Sequence, residues 1–266
     1  MAIDYVIDFQ CVPKEELSTD GLLNRLKGAE RAEAIIKLYR DGGDARPPSE
    51  MAFEFTRSTP NGDEETREFS VQDLLNDAAQ LEDYKHHCIG CPANVRNKAF
   101  GCVGAIQYPI SRAAEKRLMD KLPTQDDLLV WLLLKEGVKE FKYDGETLRP
   151  LREIPDVYFT NEKPARRLLG TLPFTADQLF EMMFAVGHIN PNHAAILLLF
   201  LHAIDRDVEA DAIMELRRAA NSDRYPLLMD ELTEDADSDL TVREFIVFIK
   251  ALYVGWKLQV RVLVDA

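Results

Sequence analysis

Two alternating segments at opposite ends of this chain constrain its fold more than anything between them. Near the start, "IDYVIDF" puts Ile3, Tyr5, Ile7 and Phe9 on one face, and at the end "LQVRVLV" does the same with Leu258, Val260, Val262 and Val264. A period of two is that of a half-buried β-strand. A strand leaves rows of backbone donors and acceptors open unless a neighbour pairs with it. The last strand is therefore expected to return to the N-terminal sheet, so that the two ends of the chain share one core.

Between these ends the apolar pattern is mostly helical. Spacing through Leu22, Leu23 and Leu26, and again through Ala32, Ile35, Ile36 and Tyr39, predicts two helices that stop at "DGGDARPPS". "MAFEFTRS" and "TREFS" flank an Asn-Gly turn and predict a β-hairpin. Ser70 is placed to cap a helix with Val71, Leu74, Leu75, Ala78 and Leu81 on its apolar face. Further on, Ser111 caps one helix, and Thr124 with Asp127 opens another that Gly137 would close. "EFKYDGETLRPL" reads as a second hairpin and "DVYFT" as a short strand. Beyond a proline-rich stretch around 138–171 the pattern is helical again, with capping-box pairs at Thr175/Gln178 and Thr241/Glu244. The fold class expected is α+β, predominantly helical: a small N-terminal sheet and hairpin part with a cysteine-rich loop, then a helical part ending in a strand. Residues 1–150 form the first region and 151–266 the second, packed as one unit if the terminal strand returns.

A formal charge of −14 narrows the partners. Binding through phosphates needs a basic surface that releases counterions, and short basic pairs such as Arg166–Arg167 and Arg217–Arg218 do not build one. Nucleic acid is not expected as a partner, while a protein partner is compatible with this charge. The apolar run "AAILLLFLHAI" is too short to span a bilayer, and Lys250, Lys257 and Arg261 interrupt the later one, so no membrane association is expected. "MAIDYVIDFQ" has acidic residues where a secretory signal carries basic ones, which points to the cytoplasm.

Three of the four cysteines fall in "HHCIGCPANVRNKAFGC": Cys88, Cys91 and Cys102, in the spacing C-x2-C-x10-C. In a reducing compartment, clustered cysteines serve as metal ligands or catalytic thiols more often than as disulfides. A two-residue spacer lets both thiolates reach one metal while turn amides point at the sulfurs. Gly90, Gly101 and Gly104 let backbone approach closely with no Cβ in the way. Tetrahedral coordination needs a fourth ligand. Cys11, just past the first strand, is the leading candidate, and His86 or His87 is the alternative. A remote cysteine joined to such a group is similar to the arrangement by which some nucleic-acid enzymes staple distant segments with a [4Fe-4S] cluster, and "CIGC" followed by Pro92 resembles local ferredoxin sequence. The resemblance is confined to these residues, and the remaining cysteines of a ferredoxin run are absent. It implies an iron–sulfur cluster tying the first strand to the 88–102 loop; Zn2+ remains the other metal that four thiolates suit. The expected role is structural or redox, including electron transfer. The competing function is a non-catalytic interaction or regulatory protein with structural zinc or no metal.

Other constellations carry less. Asp235, Asp237 and Asp239 with Glu244 resemble a calcium loop, but Leu240 stands where the turn glycine belongs and Glu244 comes two positions early. His188, His193 and His202 form no zincin spacing. The sequence has no Gly-x-Ser-x-Gly elbow, phosphate loop or dinucleotide fingerprint, so no catalytic residue is assigned.

Overall fold

A computed structural model describes residues 2–58, 64–154, 157–216, 224–228 and 239–265. The fold is mixed α+β with helix outweighing strand, and it ends in a helix followed by a strand. The chain divides into two compact units, Met1–Phe9 with Pro92–Ala266, and Gln10–Cys91. The second is therefore an insertion within the first, and position 150 lies inside the discontinuous unit.

β1 (Ala2–Ile7) belongs to the discontinuous unit, and the inserted unit follows it. There α1 (Val12–Leu17) starts from Cys11, with Pro13 in the first turn, where its missing N–H leaves no helical bond unmade. The Ser18 hydroxyl then accepts the Gly21 N–H at 3.0 Å and opens α2 (Thr19–Asp41). Where two helices were expected there is one continuous helix. Gly28 lies within it, and a glycine inside a helix costs only about 1 kcal/mol relative to alanine, too little to break the helix there. β2 (Ala52–Ser58) and β3 (Glu64–Ser70) form the expected antiparallel hairpin, in register from Ala52 opposite Ser70 to Ser58 opposite Glu64; its Asn-Gly turn lies outside the described residues. Ser70 caps α3 (Val71–Ala79) through the Asp73 N–H, as its position predicts. Ala32, Met51 and Val71 centre this unit's core, with Ile35, Ile36, Tyr39, Phe53, Leu74 and Leu75 packed around them. A 3₁₀ segment, Glu82–Cys88, completes it, and α1 packs against that segment.

In the discontinuous unit, β4 (Val103–Gln107) pairs antiparallel with β1, from Val6 opposite Val103 to Ala2 opposite Gln107. α4 (Arg112–Asp120) is capped by Ser111, and the Thr124/Asp127 box opens a 3₁₀ turn leading into α5 (Leu128–Glu140). Gly137 does not close α5. Buried Val138 holds the chain to the core for another turn, and Phe141 N–H bonds to the Gly137 carbonyl. The hairpin expected near Asp144-Gly145 is also absent. The Glu181 carboxylate accepts the Gly145 N–H at 2.9 Å and the Thr147 hydroxyl at 2.6 Å, and this capture bends the chain into α6 (Arg149–Arg152). "DVYFT" contributes a single parallel bridge, Ile110 to Phe159. The hairpin lies later, as β5 (Arg166–Leu169) and β6 (Leu172–Thr175), where the Gly170 φ of +67° makes the turn.

Thr175 and Gln178 form the expected capping box of α7 (Ala176–Phe184), which is buried along its whole length. β7 (His188–Ile189), α8 (Pro191–Phe200) and α9 (Ala210–Glu215) follow. α10 (Leu240–Leu258) starts at Asp239, not at the expected Thr241 cap: the Asp239 carboxylate takes the Val242 N–H at 2.9 Å, and Glu244 instead accepts the Gln107 N–H of β4 at 2.7 Å. After a left-handed turn at Gln259, β8 (Val262–Asp265) returns to the first strand. The sheet order is β4-β1-β8-β7, with β8 antiparallel to β1 from Asp4 opposite Asp265 to Ile7 opposite Val262. The strand is shorter than its alternation suggested, because Leu258 is still helical. α10 packs on α8 and across β1 and β4, and Phe248 meets the Tyr5 ring edge-on at 5.0 Å. Phe180, Phe184 and Phe245 continue this aromatic layer. Among the described residues, no helix is long and apolar enough to cross a membrane.

Candidate metal centre

Within the inserted unit, Cys11 and Cys88 stand at opposite ends of its sequence. Cys11 is the residue from which α1 springs, Cys88 is the last residue of the 3₁₀ segment, and α1 packs on that segment. The Cys91 N–H reaches the Cys88 carbonyl at 3.4 Å, closing a turn in which Gly90 takes a φ of +73° that only glycine adopts without strain. The expected short turn between the paired thiols is thus present. Cys88 is buried, Cys11 and Cys91 are partly exposed, and the intervening Ile89 projects into solvent at 85% exposure. His86 and His87 are exposed, their rings 3.9 Å apart. None of the four cysteines is in a disulfide. Among the described residues, no group of three or more His, Cys, Asp or Glu side chains is arranged to hold a metal ion.

Cys102 belongs to the discontinuous unit, at the start of β4, where its carbonyl accepts the Ile7 N–H at 3.0 Å. The loop before it is built tightly. Ala93 and Phe100 are buried, Asn97 and Phe100 take positive φ of 51° and 55°, and the Arg96 guanidinium donates to the Val103 carbonyl at 3.3 Å. Gly101 is needed for space, since a Cβ there would fall 1.9 Å from the Asn94 side-chain oxygen. Sequence reasoning found the glycine and missed its partner, because nothing in the spacing from Asn94 to Gly101 marks a contact.

Polar clusters elsewhere are occupied by one another. In the discontinuous unit, Arg152 bridges Glu115 and Asp177 at 2.5 Å each and lies 4.1 Å over the Phe159 ring. Glu115 also accepts the Ala165 N–H at 2.9 Å. Burial pushes the Asp177 carboxyl up against the pull of Arg152. This network ties the irregular stretch between α5 and β5 to α4 and α7. The calcium-like run fares no better as a site: Asp235 and Asp237 lie outside the described residues, while Asp239 caps α10 and Glu244 binds β4 backbone. Burial raises the Asp239 carboxyl, but hydrogen bonds from Ser111, the Val242 N–H and Thr241 outweigh it and hold this group below the usual range.

No protein-family model, curated protein or solved structure matches the chain. The functional reading therefore rests on these residues alone.

Proposed function

We propose that this is a cysteine-ligated metal-binding protein carrying an iron–sulfur cluster of the [4Fe-4S] class in a structural or redox role. The ligands are Cys11, Cys88, Cys91 and Cys102, with His86 or His87 the alternative to one of them. The observation that carries the reading is the placement of Cys11 and Cys88, distant in sequence, on two segments of one unit that pack together. Four thiols suit a cluster or Zn2+ and suit hard cations poorly. A bound cluster would supply one-electron chemistry and a cross-link. The chain's own contribution is to hold the sulfurs and shield Cys88 by burial. The reading places the protein in the cytoplasm, where thiols stay reduced, with a protein as the partner for electron exchange and no nucleic acid.

A second reading is a non-catalytic interaction or regulatory protein with structural zinc or no metal; its zinc form draws on the small core of the inserted unit, which a cross-link would reinforce. Anaerobic purification, elemental analysis and a visible spectrum separate the two. A brown protein bleached by dithionite supports the cluster, a colourless protein with zinc or without metal supports the second reading, and absence of metal sinks the metal-binding reading. Cys11→Ser should release the metal; full retention transfers that position to His86 or His87.

A further inference from the structure

We infer that residues 142–153 form a strap that opens locally from α7 and α4 while the rest of the discontinuous unit stays folded, and that proton uptake by Asp177 draws it closed. α7 is apolar apart from Asp177, Gln178 and Glu181, and each of these three holds this one segment. The Gln178 side-chain amide donates to the Tyr143 carbonyl at 2.8 Å, Glu181 accepts from the Gly145 N–H and the Thr147 hydroxyl, and Asp177 accepts from Arg152 Nε at 2.5 Å. The strap lies directly on the first turn of α7: a Cβ on Gly145 would stand 3.0 Å from that of Asp177 and 3.3 Å from the Gln178 backbone nitrogen. Its own backbone bonds, from the Leu148 N–H to the Gly145 carbonyl and from the Leu151 N–H to the Leu148 carbonyl, are internal and survive its departure. Leu148 is its one buried apolar side chain. Few apolar contacts, and an attachment made by side chains, are the marks of a segment that opens on its own.

The latch is electrostatic. The Arg152 guanidinium is shared between Asp177 and Glu115, and these three side chains are nearly out of water, at 11%, 11% and 2% exposure. Arg112 of α4 also reaches Glu115, at 3.0 Å, and Arg149 of α6 attracts Asp177, but both are well exposed and screened by solvent. Glu181, one turn along from Asp177, adds a further carboxylate whose donors are neutral, and burial together with Glu181 raises the Tyr143 hydroxyl. A buried ion pair gains little net, because desolvation offsets attraction. Here burial prevails over Arg152 and pushes the Asp177 carboxyl up. In the open strap water reaches this carboxyl, and its proton affinity returns towards the ordinary 3.8. The closed form therefore binds the proton more tightly than the open form, and closure is favoured as pH falls through the raised value. Once neutral, Asp177 still accepts from Arg152 Nε through its carbonyl oxygen and leaves the guanidinium charge to Glu115. Opening at neutral pH uncovers Asp177, Gln178 and Glu181, so the strap controls access to a polar helix face that the closed form hides.

Hydrogen exchange of the full-length protein, read peptide by peptide by mass spectrometry and corrected for intrinsic rates, tests both parts. At neutral pH, peptides within 142–153 should exchange ahead of those from α4 and α7. As pH falls their protection should rise, by at most about tenfold per pH unit for one proton. Asp177→Asn keeps an acceptor for Arg152 but cannot ionise, so it should show the acid-side protection of wild type already at neutral pH and no rise on acidification. Thr147→Val removes one bond to Glu181 and should speed exchange of the strap about tenfold while leaving α4 and α7 unchanged. A strap that exchanges no faster than α4 and α7, or a Thr147→Val effect spread equally over all three, overturns the local opening. Protection that stays flat or falls with falling pH in wild type, or that still rises in Asp177→Asn, overturns the role of Asp177. If Asp177→Asn does not fold by circular dichroism, the sign of the wild-type pH dependence decides alone.

Discussion

The two units solve the same problem with different resources. The discontinuous unit has a four-stranded sheet, a fully buried helix in α7, and an aromatic layer running from Tyr5 through Phe248 to Phe180. The inserted unit has a two-stranded hairpin, two packed helices, and a core centred on Ala32, Met51 and Val71. A chain of 266 residues taken as a whole needs no metal to fold. A part near the ~80-residue scale is different, because a single small core supplies only about 3–5 kcal/mol there. The comparison teaches where a metal cross-link would matter: in the unit with the smaller core, whose first and last segments carry Cys11 and Cys88.

Both tryptophans, Trp131 and Trp256, lie in the discontinuous unit, so their fluorescence reports that unit during unfolding. Phe248→Ala should cost about 3–5 kcal/mol and shift the tryptophan transition in urea strongly. Met51→Ala should cost about 2–5 kcal/mol in the inserted unit and leave the tryptophan midpoint where it was. Equal shifts of that midpoint by both substitutions would break the comparison, making the units a single cooperative body. Chelation comes next. At free metal a hundred times Kd, binding would add about 2.7 kcal/mol, so under the proposed metal-centre reading chelation should expose 10–91 to protease before the remainder, as mass spectrometry of the fragments would show. Uniform cleavage along the chain, or cleavage that chelation leaves unchanged, would count against a metal cross-link in this unit.

A smaller effect sharpens the description of the larger unit. Asp239→Ala removes the α10 cap and should cost about 1 kcal/mol. The carboxyl is held below its usual 3.8, so its stabilising contribution is complete above that value and is lost as pH falls through the lower folded one. Asp239→Asn, which can still cap, should therefore match wild type more closely at acid pH than at neutral pH. Identical acid unfolding curves for the two proteins, displaced by the same amount at every pH, would remove Asp239 from the acid response. Smallest is Gly137→Ala, which should stabilise α5 by about 0.5–1 kcal/mol, because nothing lies within 4 Å of the added methyl. A lowered thermal midpoint would show that Gly137 has a role beyond the helix.

Much of the fold was legible because its signals are local. Ser70, Ser111, Thr124 and Thr175 all cap the elements their positions predict, since a cap needs only a side chain and an amide two or three residues away. The misreadings are places where a distant group won. Asp144-Gly145 has the composition of a hairpin turn, yet the carboxylate of Glu181 captures its backbone. Thr241 and Glu244 have capping-box spacing, yet Asp239 takes the cap while Glu244 turns to β4 and Thr241 to Ser111. Of the candidate centre, the paired-cysteine turn was legible from Gly90 and the two-residue spacer. The Asn94 contact behind Gly101 was not, because packing leaves no periodicity.

The sequence by itself determined the α+β class, the caps at Ser70, Ser111, Thr124 and Thr175, and the hairpin at 52–70, and it raised the return of the last strand to the first. Each follows from hydrogen-bonding needs or hydrophobic period that a short stretch expresses. Only the tertiary structure decided that Gln10–Cys91 is an insertion between paired strands, that α1 lies against the segment ending in Cys88, and that Gly101 exists to admit Asn94. Those are matters of which surfaces meet, and a meeting of surfaces distant along the chain depends on every element between them.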